Sequence, residues 1–172
     1  MIDIGLLFAR LIIGLAIAAH GAQKALGWFG GHGLKGTGGF FQTLGFRPGI
    51  LFAGLASGGE ILGGVLTASG LFGPVGPALI VIVMIVAAGS LHIQNGFFAT
   101  KNGIEIHTLY IASALALAYA GPGSLSLDAA FGLGRTFTGL HDTWAVASGV
   151  ALGLITLALR RKSTPSSGLK AA

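Results

Sequence analysis

The segment "IDIGLLFARLIIGLAIAAHGAQK", Ile2 to Lys24, decides how the rest of the chain is read. It begins as an apolar run of about the 20 residues that a helix needs to cross a hydrocarbon core. It then places His20, Gln23 and Lys24 within little more than one turn, before the chain passes into "ALGWFGGHGLKGTGGFFQTLGF", rich in glycine and aromatics. The run lacks the basic leader of a signal peptide and no small-residue cleavage site followed by a soluble domain appears, so it is predicted to remain as a span.

The composition agrees with a membrane setting. Of 172 residues 53% are hydrophobic and 9% charged, against roughly 25% charged in a soluble domain. Most of the 31 glycines lie inside apolar runs, where small residues let helices in lipid approach closely. There is no cysteine, which excludes thiolate nucleophiles, disulfides and Cys-ligated zinc or iron–sulfur clusters from this chain. The net charge of +5 comes from sparse residues flanking apolar segments; it reads as a topology signal and not as a nucleic-acid surface.

Five apolar runs are candidate spans: Ile2–Ala22, Ile50–Phe72, Val75–Ile93, Ile106–Ala120 and Trp144–Leu159. The last two are short, since 16 residues cover only about 24 Å. Trp144 and the Arg160, Arg161, Lys162 cluster supply interfacial anchors for the fifth. With the N-terminus outside, the cytoplasmic segments hold Lys24, Lys35, Arg47, Lys101, Arg160, Arg161, Lys162 and Lys170, whereas the outer segments hold Arg135 alone. This asymmetry predicts a multi-pass cell-membrane protein with its N-terminus out and its C-terminus in. Between the first two spans, Leu34, Thr37, Phe40, Phe41 and Leu44 recur at helical spacing, which suits an interfacial helix or an irregular re-entrant turn. The segment 121–142, opening "GPGSLSLD", reads as an outer loop, and the polar tail after residue 162 as disordered.

Four blocks, "HGAQKALGWFGGHGLKGTGGFFQTLGF", "AGLASGGEILGGVLTASGLF", "VMIVAAGSLHIQNGFFATKNGIEIH" and "GPGSLSLD", resemble in order those of the DoxX family of small integral membrane proteins, over about residues 5–128. The resemblance implies an all-α, four-helix transmembrane bundle over 1–128 with an interfacial segment at 28–47. Residues 129–162 then add an outer loop and a fifth transmembrane helix, and 163–172 a tail. The family takes its name from similarity to a subunit of an archaeal thiosulfate:quinone oxidoreductase, and some relatives are linked to membrane-associated thiol and oxidative-stress complexes.

Ionisable side chains within a span cost at least about 2.5–3.5 kcal/mol each, so each asks for a partner or a task. Arg10 and Glu60 lie at comparable depth in neighbouring antiparallel runs, which predicts a buried Arg10–Glu60 pair, either orienting two helices or serving as a proton relay or ligand anchor. At the other depth, His20, Gln23 and Lys24 meet His92, Asn95, Glu105 and His107, with Trp28, Phe29, Phe97 and Phe98 as an aromatic rim. Lys24 and Trp28 also suit ordinary interfacial anchors. Hydrogen-bond donors in an aromatic, apolar surround fit a quinone head group.

Metal and haem are weaker readings, because no HxxxH or HExxH spacing occurs and the histidines would have to converge from separate helices. The glycines of "GWFGGHGLKG" follow a membrane run with no strand before them, which argues against nucleotide binding. The expectation is a membrane subunit or anchor of a quinone-linked oxidoreductase, in contact with lipid, working with partner redox proteins and not active alone. Alternatives are a non-catalytic scaffold recruiting soluble enzymes and, less favoured for want of an inverted repeat, a small-solute transporter.

Overall fold

The computed structural model describes residues 1–161 except 135 and 138. The predicted disorder of 163–172, together with Arg135, Lys162 and Lys170, lies outside the described residues. The fold is an all-α membrane bundle. Its elements are α1 (Ile2–Leu26), α2 (Gly33–Thr43), α3 (Gly49–Ser69), α4 (Val75–Ala87), α5 (Glu105–Ala120), the short α6 (Leu127–Ala130) and α7 (Leu140–Ala158). A π-helical turn (Ala88–His92) and a 3-10 turn (Ile93–Asn95) prolong α4. Left-handed glycines at Gly27 and Gly70 stop α1 and α3, a conformation that residues with a Cβ adopt only at a cost. Pro48 and Pro74 stand immediately before α3 and α4, where a missing N–H costs nothing.

Small residues set how α1 and α3 pack. A Cβ on Gly14 would stand 2.5 Å from the Gly64 carbonyl oxygen and 2.6 Å from the Ala68 nitrogen, and one on Gly21 would stand 2.7 Å from the Ser57 carbonyl oxygen. The two backbones therefore touch along Gly14, Ala18 and Gly21 on α1 and Ser57, Gly64 and Ala68 on α3, the small-residue packing that lipid-embedded helices use. The contact is antiparallel and fixes the register. Ile17 from α1, Ile80, Val81, Val83 and Met84 from α4, and Ala114 from α5 form the apolar core beside it.

Five helices, α1, α3, α4, α5 and α7, alternate in direction between two faces. One face carries the start of α1, the turn at residues 70–74 and the segment 121–139. The other carries the end of α1, all of α2, residues 88–105 and the end of α7. Among the described residues four helical stretches are long and apolar enough to span a membrane: Ile2–Leu26, Gly49–Ser69, Val75–Asn95 and Leu140–Ala158. The fifth span expected at Trp144–Leu159 thus begins earlier, at Leu140, and its 19 residues remove the expected shortfall. By contrast α5 has 16 residues, about 24 Å of rise. It still reaches both faces: its first residue bonds the loop before it through Glu105, and Ser124, just beyond its end, bonds Asp3 at the start of α1.

The segment read as a plain outer loop is a lock. Asp128, 1% exposed, accepts from the backbone N–H of Phe72 at 2.8 Å and of Gly73 at 2.7 Å, and its own N–H donates to the Gly70 carbonyl. Ser126 caps α6 by accepting from Ala129 N–H. Arg10 donates to the Leu125 carbonyl at 2.8 Å and to the Ala68 carbonyl at 3.4 Å. One buried arginine and one buried aspartate thereby tie α1, the α3–α4 turn and the "GPGSLSLD" segment into one face.

Gly14→Val is expected to lower stability in detergent by about 1–3 kcal/mol, because it drives a side chain into backbone that cannot move aside. Gly5→Ala, where a Cβ meets nothing within 4 Å, should stay near wild type. Thermal unfolding followed by circular dichroism measures both.

Candidate functional site

The register of α1 against α3 decides which charges meet. Arg10 falls opposite Ala68, whereas Glu60, eight residues and about 12 Å earlier on α3, falls opposite the His20–Lys24 end of α1. Lys24 Nζ bonds Glu60 Oε1 in an ion pair whose carboxylate is buried. The expected Arg10–Glu60 pair does not form: the two residues share a helix pair but not a level, and Arg10 is taken by carbonyl oxygens instead. The Lys24 side chain is 32% exposed and that of Glu60 2%, so the lysine reaches in from the face while the carboxylate stays inside.

Glu60 and Lys24 line a cavity of about 430 Å³ between α1, α2, α3, α4, α5 and α7. Its polar end also carries His20, Ser90, His92, His107 and Tyr110, and the remainder is apolar, walled by Phe40 and Phe41 from α2, Phe52 and Leu55 from α3, and Ile82, Val83 and Met84 from α4. The π-helical turn places Ser90 and His92 on the lining, an insertion often found at functional sites. Two polar atoms on this lining are buried without a partner among the described residues: Glu60 Oε2 and His107 Nδ1.

Of the residues expected here, His20, Lys24, His92 and His107 come together on the cavity, and Glu60 joins them. His92 and His107 lie with ring centroids 4.3 Å apart, and His20 meets Tyr110 edge-on at 6.5 Å. The other predicted binding residues hold the local framework. Gln23 accepts from or faces His20 Nδ1 through Oε1 at 3.2 Å while its Nε2 donates to the Phe29 carbonyl. Asn95 donates to the Asn102 carbonyl at 3.1 Å. Glu105 accepts from Ala99 N–H at 2.8 Å. Trp28 is 58% exposed and packs edge-on against Phe29.

The predicted aromatic rim of Trp28, Phe29, Phe97 and Phe98 is corrected as well. These rings are exposed at the face, and the rings that line the cavity are Phe40, Phe41, Phe52 and Tyr110. Tyr110 had a legible signal, standing three residues after His107 on the same helical face. Phe40 and Phe41 were visible as part of an interfacial helix, but not the direction in which that helix turns them. Among the described residues no three His, Asp or Glu side chains are grouped as a metal-ligand set.

The DoxX family model matches residues 5–93. The chain belongs to the DoxX family. No curated protein and no solved structure matches it. The matched stretch ends at the close of α4, so this DoxX protein draws part of its cavity from beyond it: His107 and Tyr110 on α5 and Thr156 on α7. The C-terminal helix also pins α2 over the cavity, because Arg160 Nε donates to the Leu44 carbonyl and Arg161 N–H to the Gly45 carbonyl.

A double-mutant cycle with Lys24→Met and Glu60→Gln should show a coupling of about 0.5–3 kcal/mol in thermal stability, and Arg10→Leu with Glu60→Gln should be additive within about 0.5 kcal/mol. Lys24→Met alone should harm more than the double variant, because it leaves the carboxylate buried and unpaired.

Proposed function

We propose that this DoxX protein is the membrane subunit of a quinone-linked oxidoreductase, holding a quinone-type head group in the cavity while a partner redox protein supplies the electrons. The observation that carries this reading is the coincidence, on one lining, of two unpartnered buried polar atoms at a polar end with an apolar and aromatic wall over the remainder. A polar–apolar cavity of about 430 Å³ falls in the range of small-molecule sites, roughly 300–1,000 Å³. The cavity volume suits a six-membered ring with the start of its tail, and the buried His107 Nδ1 suits one of the ring's oxygens.

The chain's own residues then bind and orient. The aromatic side chains shield the ring, His107 and Glu60 line the end that takes its oxygens, and Lys24 holds the second oxygen of the Glu60 carboxylate without entering the apolar part. With no cysteine, the protein offers no thiolate and no Cys-ligated cluster of its own, so electron supply falls to the partner. The excess of basic residues around α2, residues 94–105 and the end of α7 supports a membrane orientation with this face cytoplasmic and the N-terminus outside.

The test is binding of a short-tailed benzoquinone to the full chain in lipid nanodiscs by calorimetry. Wild type should bind it, and Ala56→Phe, which projects a ring into the cavity, should weaken binding by about tenfold or more without lowering the melting temperature of the unliganded protein. Unchanged affinity in Ala56→Phe would place any quinone elsewhere, and copurification of soluble enzymes with no quinone binding would favour a scaffold. A reporter fused to the C-terminus should read as cytoplasmic; a signal from the outside would refute the orientation.

A further inference from the structure

The hydrogen-bonding character of the cavity lining narrows the ligand further. Glu60 Oε1 is occupied by Lys24, and Oε2, on a side chain 2% exposed, has no partner among the described residues. A carboxylate paired with an ammonium can only accept, so this free oxygen calls for a donor.

The histidines point the same way. His20 Nδ1 faces Gln23 Oε1, an oxygen whose identity is set by the amide's Nε2 donating to the Phe29 carbonyl. His92 Nδ1 is 2.8 Å from the Asn102 carbonyl oxygen. Both partners are acceptors, so each Nδ1 carries the proton and, in the neutral ring, each Nε2 keeps a lone pair. Ser90 donates its hydroxyl proton to the Ala87 carbonyl and likewise presents lone pairs. Lone pairs on Glu60, Ser90, His20 and His92, all lining residues, thus stand beside donors on His107, Tyr110 and the Lys24 N–H bonds that Glu60 Oε1 does not take.

A quinone presents only carbonyl acceptors, whereas its two-electron, two-proton reduced form presents two O–H donors. Facing a quinone, the Glu60 oxygen would stay unpaired and buried, which is costly. We propose that the cavity is built for the hydroquinone, with one ring O–H donating to Glu60 Oε2. This rests on the quinone reading above and deepens it: the site distinguishes the two redox forms and holds the reduced one. Preferential binding of the reduced form raises the midpoint potential of the bound couple, by about 30 mV for each tenfold in affinity.

The experiment compares three probes bearing one ten-carbon tail on the full chain in nanodiscs under argon: the hydroquinone, the quinone, and the hydroquinone dimethyl ether, which keeps the shape and loses both donors. Calorimetry should give the hydroquinone about tenfold or more tighter binding than either of the others, as a hydrogen bond to a charged group implies. Glu60→Gln should reverse the order, since Lys24 would hold the amide oxygen and turn the NH₂ toward the ligand. The wild-type comparison stands whether or not that variant folds. Quinone binding as tightly as hydroquinone would overturn this inference and leave the quinone site intact. Dimethyl ether matching hydroquinone would overturn it too, since the preference would not come from a donated hydrogen bond. Failure of all three to bind would overturn the quinone reading itself.

Discussion

The contact between the backbones of α1 and α3 governs the rest of the structure. Gly14 and Gly21 lie against Gly64 and Ser57 with no room for a Cβ, and in lipid, where burial of apolar surface gives helices little reason to associate, such close van der Waals packing is what joins them. Touching backbones also cannot slip by a residue without a clash, so the contact sets a register as well as an affinity. From that register follow both charged arrangements: Arg10 arrives beside the Ala68 carbonyl and Lys24 arrives beside Glu60.

The two ends of the bundle use buried charge differently. At the face bearing the start of α1, every role assigned to Arg10 and Asp128 is toward backbone: two carbonyls on one side, two amides on the other. Such bonds satisfy a turn and a loop that would otherwise leave polar groups inside, and they rigidify that end. At the opposite end the ion pair spends only one carboxylate oxygen, and α2, α5 and α7 contribute to the cavity around it. One end is tied together by bonds to backbone, and the other keeps unspent hydrogen-bonding capacity beside a cavity.

The C-terminal helix has a part in that site although the family match ends before it. Thr156 stands on the cavity lining, and the backbone and side-chain bonds from Arg160 and Arg161 to Leu44 and Gly45 hold down the end of α2. Those arginines read from sequence as membrane anchors, and interfacial placement is compatible with the bonds they make; the Arg160 side chain and the Arg161 backbone N–H also supply donors to carbonyls at the end of a short helix, which lacks intrahelical partners for them.

The sequence by itself determined the class of protein: apolar runs of span length, a scarcity of charge and glycines within the runs admit little besides a helical membrane bundle, and ordered motifs carry the DoxX resemblance. It also marked His20, Lys24, His92 and His107, because ionisable groups near the end of a span are costly enough to be conspicuous. Tertiary structure alone decided the pairings. Depth counted along each run placed Arg10 level with Glu60, but depth is a property of one helix and register a property of two, and the glycine contact shifted α3 by about two turns against that count. The inward turn of Phe41, and the outward one of Trp28 and Phe97, were likewise illegible, since an interfacial helix can present its apolar face to lipid or to the bundle with the same spacing. "GPGSLSLD" read as a loop because its turn residues are local signals, whereas the amides that Asp128 satisfies lie 55 and 56 residues earlier in the chain.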